Sequence, residues 1–313
     1  MSVLATKHLL NIEDLTAQEI HTILDVATSF REVNERAIKK LPTLRGRTVV
    51  NLFLEPSTRT RTSFELAAKR LSADGVNMSE SSSATVKGES LVDTAKTLDA
   101  MDVDMVIIRH AKAGSPQILA DNMRAVIING GDGKHQHPTQ ALLDLLTIRD
   151  HFGSFEGLRV GIVGDIVHSR VAGSLVPGLA MVGAKPIVIA PPTLLPARPD
   201  VLGAEAASDL DALLPGLDVV YMLRVQQERL ERSPFPSTRE YAMLFGLNTR
   251  RMATMRPDAI IMHPGPINRG VEFTSDAADA ANNLLLYQVN AGVAVRMALM
   301  YLLLGGERNV ALA

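Results

Sequence analysis

Short apolar runs rich in β-branched residues alternate with helical segments along most of the chain, and they do so in two series. The first series lies at 49–54, 76–78, 105–108 and 125–128, and the second at 159–163, 186–189, 219–223 and 259–262. Runs this short and this continuously apolar suit strands buried on both faces, and helices between them suit parallel crossovers. The pattern predicts an α/β protein with two doubly wound parallel-sheet domains. A length of 313 residues fits two domains of ordinary size. The helical stretch at 15–37 carries Leu15, Ile20, Ile23, Leu24 and Ala27 on its apolar stripe, and Thr16 with Glu19 fits a capping box. A long helix at 138–152 separates the two series, and a turn follows at 153–157. The last helix, 284–304, is apolar on most faces and must be buried; it is expected to cross back onto the first domain. The ranges 198–211 and 228–239 read as exposed loops, and the serine-rich stretch 79–90 is of low complexity.

Composition removes several chemistries. The chain has no Cys, so disulfides, thiolate catalysis and Cys-ligated metal centres are excluded within it. Its net charge is −2, which argues against a nucleic-acid partner. The residues from Met1 to His8 lack the pattern of a secretory signal, and the late apolar stretch 293–304 contains Arg296 and is too short for a bilayer. A soluble, cytoplasmic protein with no membrane partner is expected.

The chemistry gathers just after the strands, where open parallel sheets bind ligands. Glu55-Pro56-Ser57-Thr58-Arg59-Thr60-Arg61-Thr62 joins the first strand to a helix, with Ser57 as a natural N-cap. Hydroxyls and guanidiniums there meet the free N–H groups and dipole of a helix start, which favours a bound phosphate. A well-capped helix with solvated arginines is the plainer alternative, but capping needs neither Thr58 nor Arg59 nor Thr60. Arg109 follows the third strand, His137 and Gln140 follow the fourth, Arg170 follows the fifth, Arg224 follows the seventh, and His263-Pro264-Gly265-Pro266 follows the last. Four arginines on one rim suit a substrate with several negative charges. His137 and Gln140, three apart at a helix start, can address one ligand. Lys87 sits in the serine-rich segment, where a cation on a loop can close over an anion. Asp132 and Asp165 look isolated, and no metal-ligand spacing or P-loop occurs. Gly161-Ile162-Val163-Gly164-Asp165 resembles part of a dinucleotide loop but lacks the full glycine pattern, so a dehydrogenase reading is weak.

Together, Ser57-Thr58-Arg59-Thr60-Arg61-Thr62-Ser63-Phe64-Glu65, His137-Pro138-Thr139-Gln140 and Arg224-Val225-Gln226 resemble the aspartate/ornithine carbamoyltransferase superfamily over nearly the whole chain. Lys87-Gly88-Glu89-Ser90, Arg224-Val225-Gln226-Gln227-Glu228-Arg229 and the segment from His263 to Gly270 are similar to its aspartate branch. The ornithine branch typically places a cysteine after its late histidine, and here Pro264 and Gly265 follow His263. The resemblance implies a carbamoyl phosphate-binding domain at 1–149 plus 291–313 and an aspartate-binding domain at 150–290. It implies an active site between them and at a subunit interface.

It implies transfer of the carbamoyl group from carbamoyl phosphate to L-aspartate, the committed step toward pyrimidines, with no cofactor and no metal. Ser57, Thr58, Arg59, Thr60 and Arg109 would hold the phosphate. Thr60, Arg109 and His137 would polarise the carbonyl oxygen, and Gln140 with the carbonyls of Gly265 and Pro266 would bind the amide. Arg170, Arg224, Gln226 and Lys87 would meet the two carboxylates. Family members are homotrimers whose sites borrow a serine and a lysine from a neighbour, here Ser83 and Lys87. Val171 stands where the family has a threonine, so no hydroxyl contact is implied there. Regulatory chains or a dihydroorotase partner remain open, as do transfer to another amine such as ornithine and a catalytically silent homologue.

Overall fold

The computed structural model describes residues 3–79, 89–225 and 237–306. The chain divides into two compact units, residues 1–146 with 290–313, and residues 147–289.

The first unit holds a sheet of β1 (Thr48–Phe53), β2 (Asp74–Ser79), β3 (Met105–His110) and β4 (Val126–Asp132), in the order β2-β1-β3-β4. All three pairings are parallel. Side chains alternate across a strand, so Val50, Leu52, Val106, Ile108 and Ile127 share one face. They are buried there with Ala95 and Leu98 of the helix Leu91–Ala100 and with Leu119 of the helix Ser115–Asn122. The alternate positions Val49, Phe53, Met105, Ile107 and Ile128 are buried as well. Burial of both faces suits the apolar runs of β1, β3 and β4, whereas β2, at the sheet edge, is more polar and largely exposed. The helix Ala17–Glu35 begins at Thr16, whose side chain accepts from the Glu19 N–H while Glu19 reaches back, the expected capping box.

The second unit holds β5 (Arg159–Val163), β6 (Lys185–Ile189), β7 (Glu205–Ala207), β8 (Val219–Met222) and β9 (Ile260–Met262), in the order β7-β6-β5-β8-β9, again parallel throughout. A Cβ at Gly161, in the middle of β5, would collide with a methyl of Leu217. Close packing therefore accounts for that glycine.

The last helix, Leu285–Leu303, is long and apolar enough to cross a membrane by length and composition alone, but 67% of that window is buried inside the protein. Its residues from Asn290 onward group with the first unit. Ala294, Val295, Met297, Ala298 and Leu299 are fully buried or nearly so.

Several local expectations change. The loop expected at 198–211 contains β7 and the short helix Leu210–Leu213. The helix Thr238–Phe245 takes over the end of the other loop range, with Ser237 as its cap. β4 runs on through Asn129–Asp132, where His110 pairs with Asp132 after a register shift.

Candidate functional site

Each sheet reverses its strand order once. In the first unit the chain goes from β1 outward to β2 and then returns to β3 on the other side of β1. In the second it goes from β5 outward to β6 and β7 and returns to β8 on the other side of β5. Such a reversal opens a crevice beyond the carboxyl ends of the two strands flanking it, because their connections leave in opposite directions. The candidate arginines lie at the ends of those strands: Arg59 follows β1 and Arg109 is the penultimate residue of β3, while Arg170 follows β5 and Arg224 follows β8.

In the first unit four residues link β1 to the helix Thr58–Arg70. Thr58, Arg59 and Thr60 occupy its first turn, so their N–H groups are among those a helix leaves unsatisfied. Ser57 holds the N-cap position as expected, but its side chain makes no capping hydrogen bond. Its hydroxyl is thus not committed to the helix. Thr58 and Arg59 are exposed and Thr60 is buried, with its carbonyl accepting from Ser63 Oγ at 2.9 Å. Arg109 lies beside this turn: Leu54 N donates to its carbonyl at 2.9 Å. Its guanidinium is steadied from two sides, by Glu55 Oε1 at 3.6 Å from Nη2 and by donation from Nη1 to the Gly130 carbonyl at 3.3 Å.

His137 and Gln140 enter from β4. His137 is buried, and its carbonyl accepts from Gln140 N at 2.9 Å as the helix Pro138–Phe152 begins. The bend before them is built on Asp132, a residue that looked isolated in the sequence. Its Oδ1 accepts from Asn129 Nδ2 at 2.9 Å and from Gln136 N at 3.1 Å. Its Oδ2 accepts from Gly114 N at 2.7 Å and lies 3.1 Å from His135 Nδ1. The first unit therefore gathers Ser57, Thr58, Arg59, Thr60, Arg109, His137 and Gln140 at the carboxyl edge of β1, β3 and β4.

In the second unit Arg170 is buried at the first position of the helix Arg170–Met181, whose cap Ser169 accepts from Ala172 N at 3.2 Å. The preceding bend is held by Asp165, which accepts from His168 N at 3.1 Å and lies 2.9 Å from His168 Nδ1. Gly164 sits at a φ of +135°, where a Cβ would come within 3.0 Å of the Leu223 side chain. That contact explains the glycine without any dinucleotide.

Arg224 is half-buried at the exit of β8, and Gly265 and Pro266 follow β9. These two exits are tied by Glu272, which the sequence did not flag. Its Oε1 accepts from Val225 N and from Asn268 Nδ2, both at 2.9 Å, and its Oε2 accepts from Asn268 N at 2.6 Å. Burial pushes the Glu272 carboxyl above its ordinary range, and the accepted hydrogen bonds pull the other way. His263 Nδ1 accepts from Gly265 N at 2.8 Å, which fixes the start of the Gly265-Pro266 turn. The second unit gathers Arg170, Arg224, Gly265 and Pro266 at its own carboxyl edge. Ser83, Lys87 and Gln226 lie outside the described residues. Among the described residues, no group of three or more His, Asp or Glu is placed to hold a metal ion.

Two family models divide the chain between them. "Aspartate/ornithine carbamoyltransferase, carbamoyl-P binding domain" matches residues 7–150, and "Aspartate/ornithine carbamoyltransferase, Asp/Orn binding domain" matches residues 156–303. The aspartate carbamoyltransferase catalytic subunit of Syntrophotalea carbinolica is 56% identical over 302 residues, which is 96% of each chain. An aspartate transcarbamoylase from Trypanosoma cruzi, solved with carbamoyl phosphate and aspartate, superposes with a TM-score of 0.86 at 29% identity, covering 96% of this chain and 97% of that one. An ornithine carbamoyltransferase from Pyrococcus furiosus superposes equally well, with a TM-score of 0.87 at 29% identity over 98% and 99% of the two chains. The fold is thus shared by both branches, and residue identity is what separates them.

Proposed function

This chain belongs to the aspartate/ornithine carbamoyltransferase family, and we propose how its residues divide the work of that chemistry. It transfers the carbamoyl group of carbamoyl phosphate to the amino group of L-aspartate, giving N-carbamoyl-L-aspartate and phosphate. The choice of aspartate over ornithine is supported by the 56% identity, over nearly the whole chain, to an aspartate carbamoyltransferase catalytic subunit.

The single observation behind the assignment of roles is the pair of arginines at each strand-order reversal. Ser57, Thr58, Arg59 and Thr60 with Arg109 hold the phosphate: backbone N–H groups, hydroxyls and two guanidiniums offer donors on several sides of one anion. Thr60, Arg109 and His137 donate to the carbonyl oxygen, where negative charge grows as the carbon becomes tetrahedral. Gln140 and the carbonyls of Gly265 and Pro266 accept from the amide. Arg170 and Arg224, with Gln226 and with Lys87 from a neighbour, take the two carboxylates of aspartate.

The uncharged amine of aspartate attacks the carbamoyl carbon. The tetrahedral intermediate then collapses, the C–O bond to phosphate breaks, and the amine proton passes to the departing phosphate. No side-chain base is required, and the rate comes from positioning and charge stabilisation. The assembly that fits this reading is a cytoplasmic homotrimer in which Ser83 and Lys87 complete the site of the adjoining chain.

The test is product identification after incubation with carbamoyl phosphate and either L-aspartate or L-ornithine. N-Carbamoyl-L-aspartate and phosphate in equal amounts, with no citrulline, is the expected result. Carbamoylation of ornithine instead would overturn the acceptor and keep the family. Native mass is read alongside: three copies of a 33.8 kDa chain are expected, and a monomer with full activity would remove the shared site.

A further inference from the structure

Gln140 and Asp144 are four residues apart on the helix Pro138–Phe152 and therefore share a face. Gln140 Nε2 donates to Asp144 Oδ1 at 3.0 Å. A carboxylate only accepts, so the Gln140 amide must present its nitrogen edge to Asp144 and turn its oxygen edge away. Asp144 is fully buried. A carboxylate that deep needs a cation, and Arg296, on the last helix and in the same unit, provides one. Arg296 is itself buried, and the charge of Asp144 acts on it. Burial lowers its pKa to about 10, which leaves it protonated at neutral pH.

Two features show that the fold reserves space for this guanidinium. Its Cζ sits 4.9 Å from the centroid of Phe64, a fully buried residue of the helix Thr58–Arg70. One turn before it, Gly292 leaves open a position where any Cβ would come within 2.6 Å of Arg296 Nη1. Glycine inside a helix is otherwise unfavourable. Here the room that the missing side chain leaves is filled by the arginine.

We infer that Asp144, its buried charge balanced by that of Arg296, is a positioning residue that fixes the Gln140 amide with its oxygen toward the substrate. It thereby selects a donor that carries –NH2 over an acyl phosphate of the same shape that carries –CH3. The inference rests on the proposed contact between Gln140 and the carbamoyl amide and explains why that contact has one polarity. An amide turned the other way would aim –NH2 at –NH2, and an unmatched polar contact in a site shielded from water is costly.

The test compares carbamoyl phosphate as substrate with acetyl phosphate as a competitive inhibitor. In Asp144→Asn the new amide can either accept or donate, so Gln140 is free to turn. The expected result is a KM for carbamoyl phosphate about tenfold higher, a Ki for acetyl phosphate changed less than twofold, and so a selectivity ratio about tenfold lower. A variant that merely lost folded protein would lower kcat and leave the ratio alone. Arg296→Met and Arg296→Lys give a second route should Asp144→Asn fail to fold. The methionine is expected to lower the ratio several-fold and the lysine to keep it within twofold of the wild type. An unchanged ratio in Asp144→Asn, or equal ratios for methionine and lysine, overturns the inference. Wild-type protein that forms no N-carbamoyl-L-aspartate overturns the assigned function instead.

Discussion

Replacing Asp132 by Asn changes one oxygen into an NH2 and little else, yet it strikes the bend that presents His137. Oδ1 accepts from Asn129 Nδ2 and Gln136 N, and Oδ2 from Gly114 N. Wherever the new NH2 is placed, it faces at least one donor. At Oδ1 it would face two buried donors, so the cheaper placement is at Oδ2, where the 2.7 Å bond from Gly114 N is lost. A hydrogen bond to a charged acceptor contributes about 1.5–3 kcal/mol, and a donor left facing a donor adds to the loss. The net destabilisation is about 2 kcal/mol, or roughly 4–8 °C in Tm for a domain of this size. Thermal unfolding should be compared at equal protein concentration, because the proposed trimer would make Tm depend on it. The same variant should lose at least tenfold in kcat, since displacements of about 1 Å in a positioned group can cost on the order of 10²-fold. Stability within about 0.5 kcal/mol of the wild type, the range of an ordinary surface change, together with unaltered kcat, would refute the role given to Asp132.

Glu272→Gln places an NH2 among the N–H groups of Val225 and Asn268 and loosens the tie between the Arg224 and Gly265 exits; the KM for aspartate should rise about tenfold, and an unchanged value would remove Glu272 from that role. The Glu272 carboxyl is raised above its ordinary 4.5, so its neutral form is the one that folding favours. That contribution is complete below 4.5 and is lost as pH rises through the higher folded value, so the variant should lose this part of the pH profile. Asp211 is held below its ordinary 3.8 by the Arg251 guanidinium, which meets it at 2.7 and 2.9 Å. Its contribution is present above 3.8 and fades as pH falls through the lower folded value, so Asp211→Asn should flatten the acid limb of a Tm-against-pH curve; an unchanged limb would contradict the assignment. Leu52→Ala, at the centre of β1, should cost about 2–5 kcal/mol in chemical denaturation, and a loss under 1 kcal/mol would show that the core is not packed as described.

The sequence carried the architecture because strand and crossover helix alternate with separable periods. Thr16 and Glu19 were legible as a capping box because both partners lie within one turn. Arg109 and Arg224 were legible because each directly ends or follows a β-branched run. Other features hid for physical reasons. Glu205-Ala206-Ala207 forms an edge strand from three residues, none of them β-branched, which pair because β6 offers a free edge. Asn129 to Asp132 fell beyond the expected strand because polar and glycine residues stand where β4 continues, yet Asn129 and Asp132 bond each other inside the fold. Glu272 and Asp132 act on partners 47 and 18 residues away, distances at which spacing carries no signal. Ser57 satisfied every local rule for a cap and takes the position without the bond.

The central claim is a division of labour: the arginines at the first reversal read the phosphate donor, and those at the second read the dicarboxylate. Titration calorimetry of carbamoyl phosphate onto Arg59→Ala and Arg224→Ala tests it directly. Removing a charged phosphate contact should weaken binding by roughly 10²-fold in Arg59→Ala, while Arg224→Ala binds within about twofold of the wild type. Equal weakening in both variants, or none in Arg59→Ala, would contradict it.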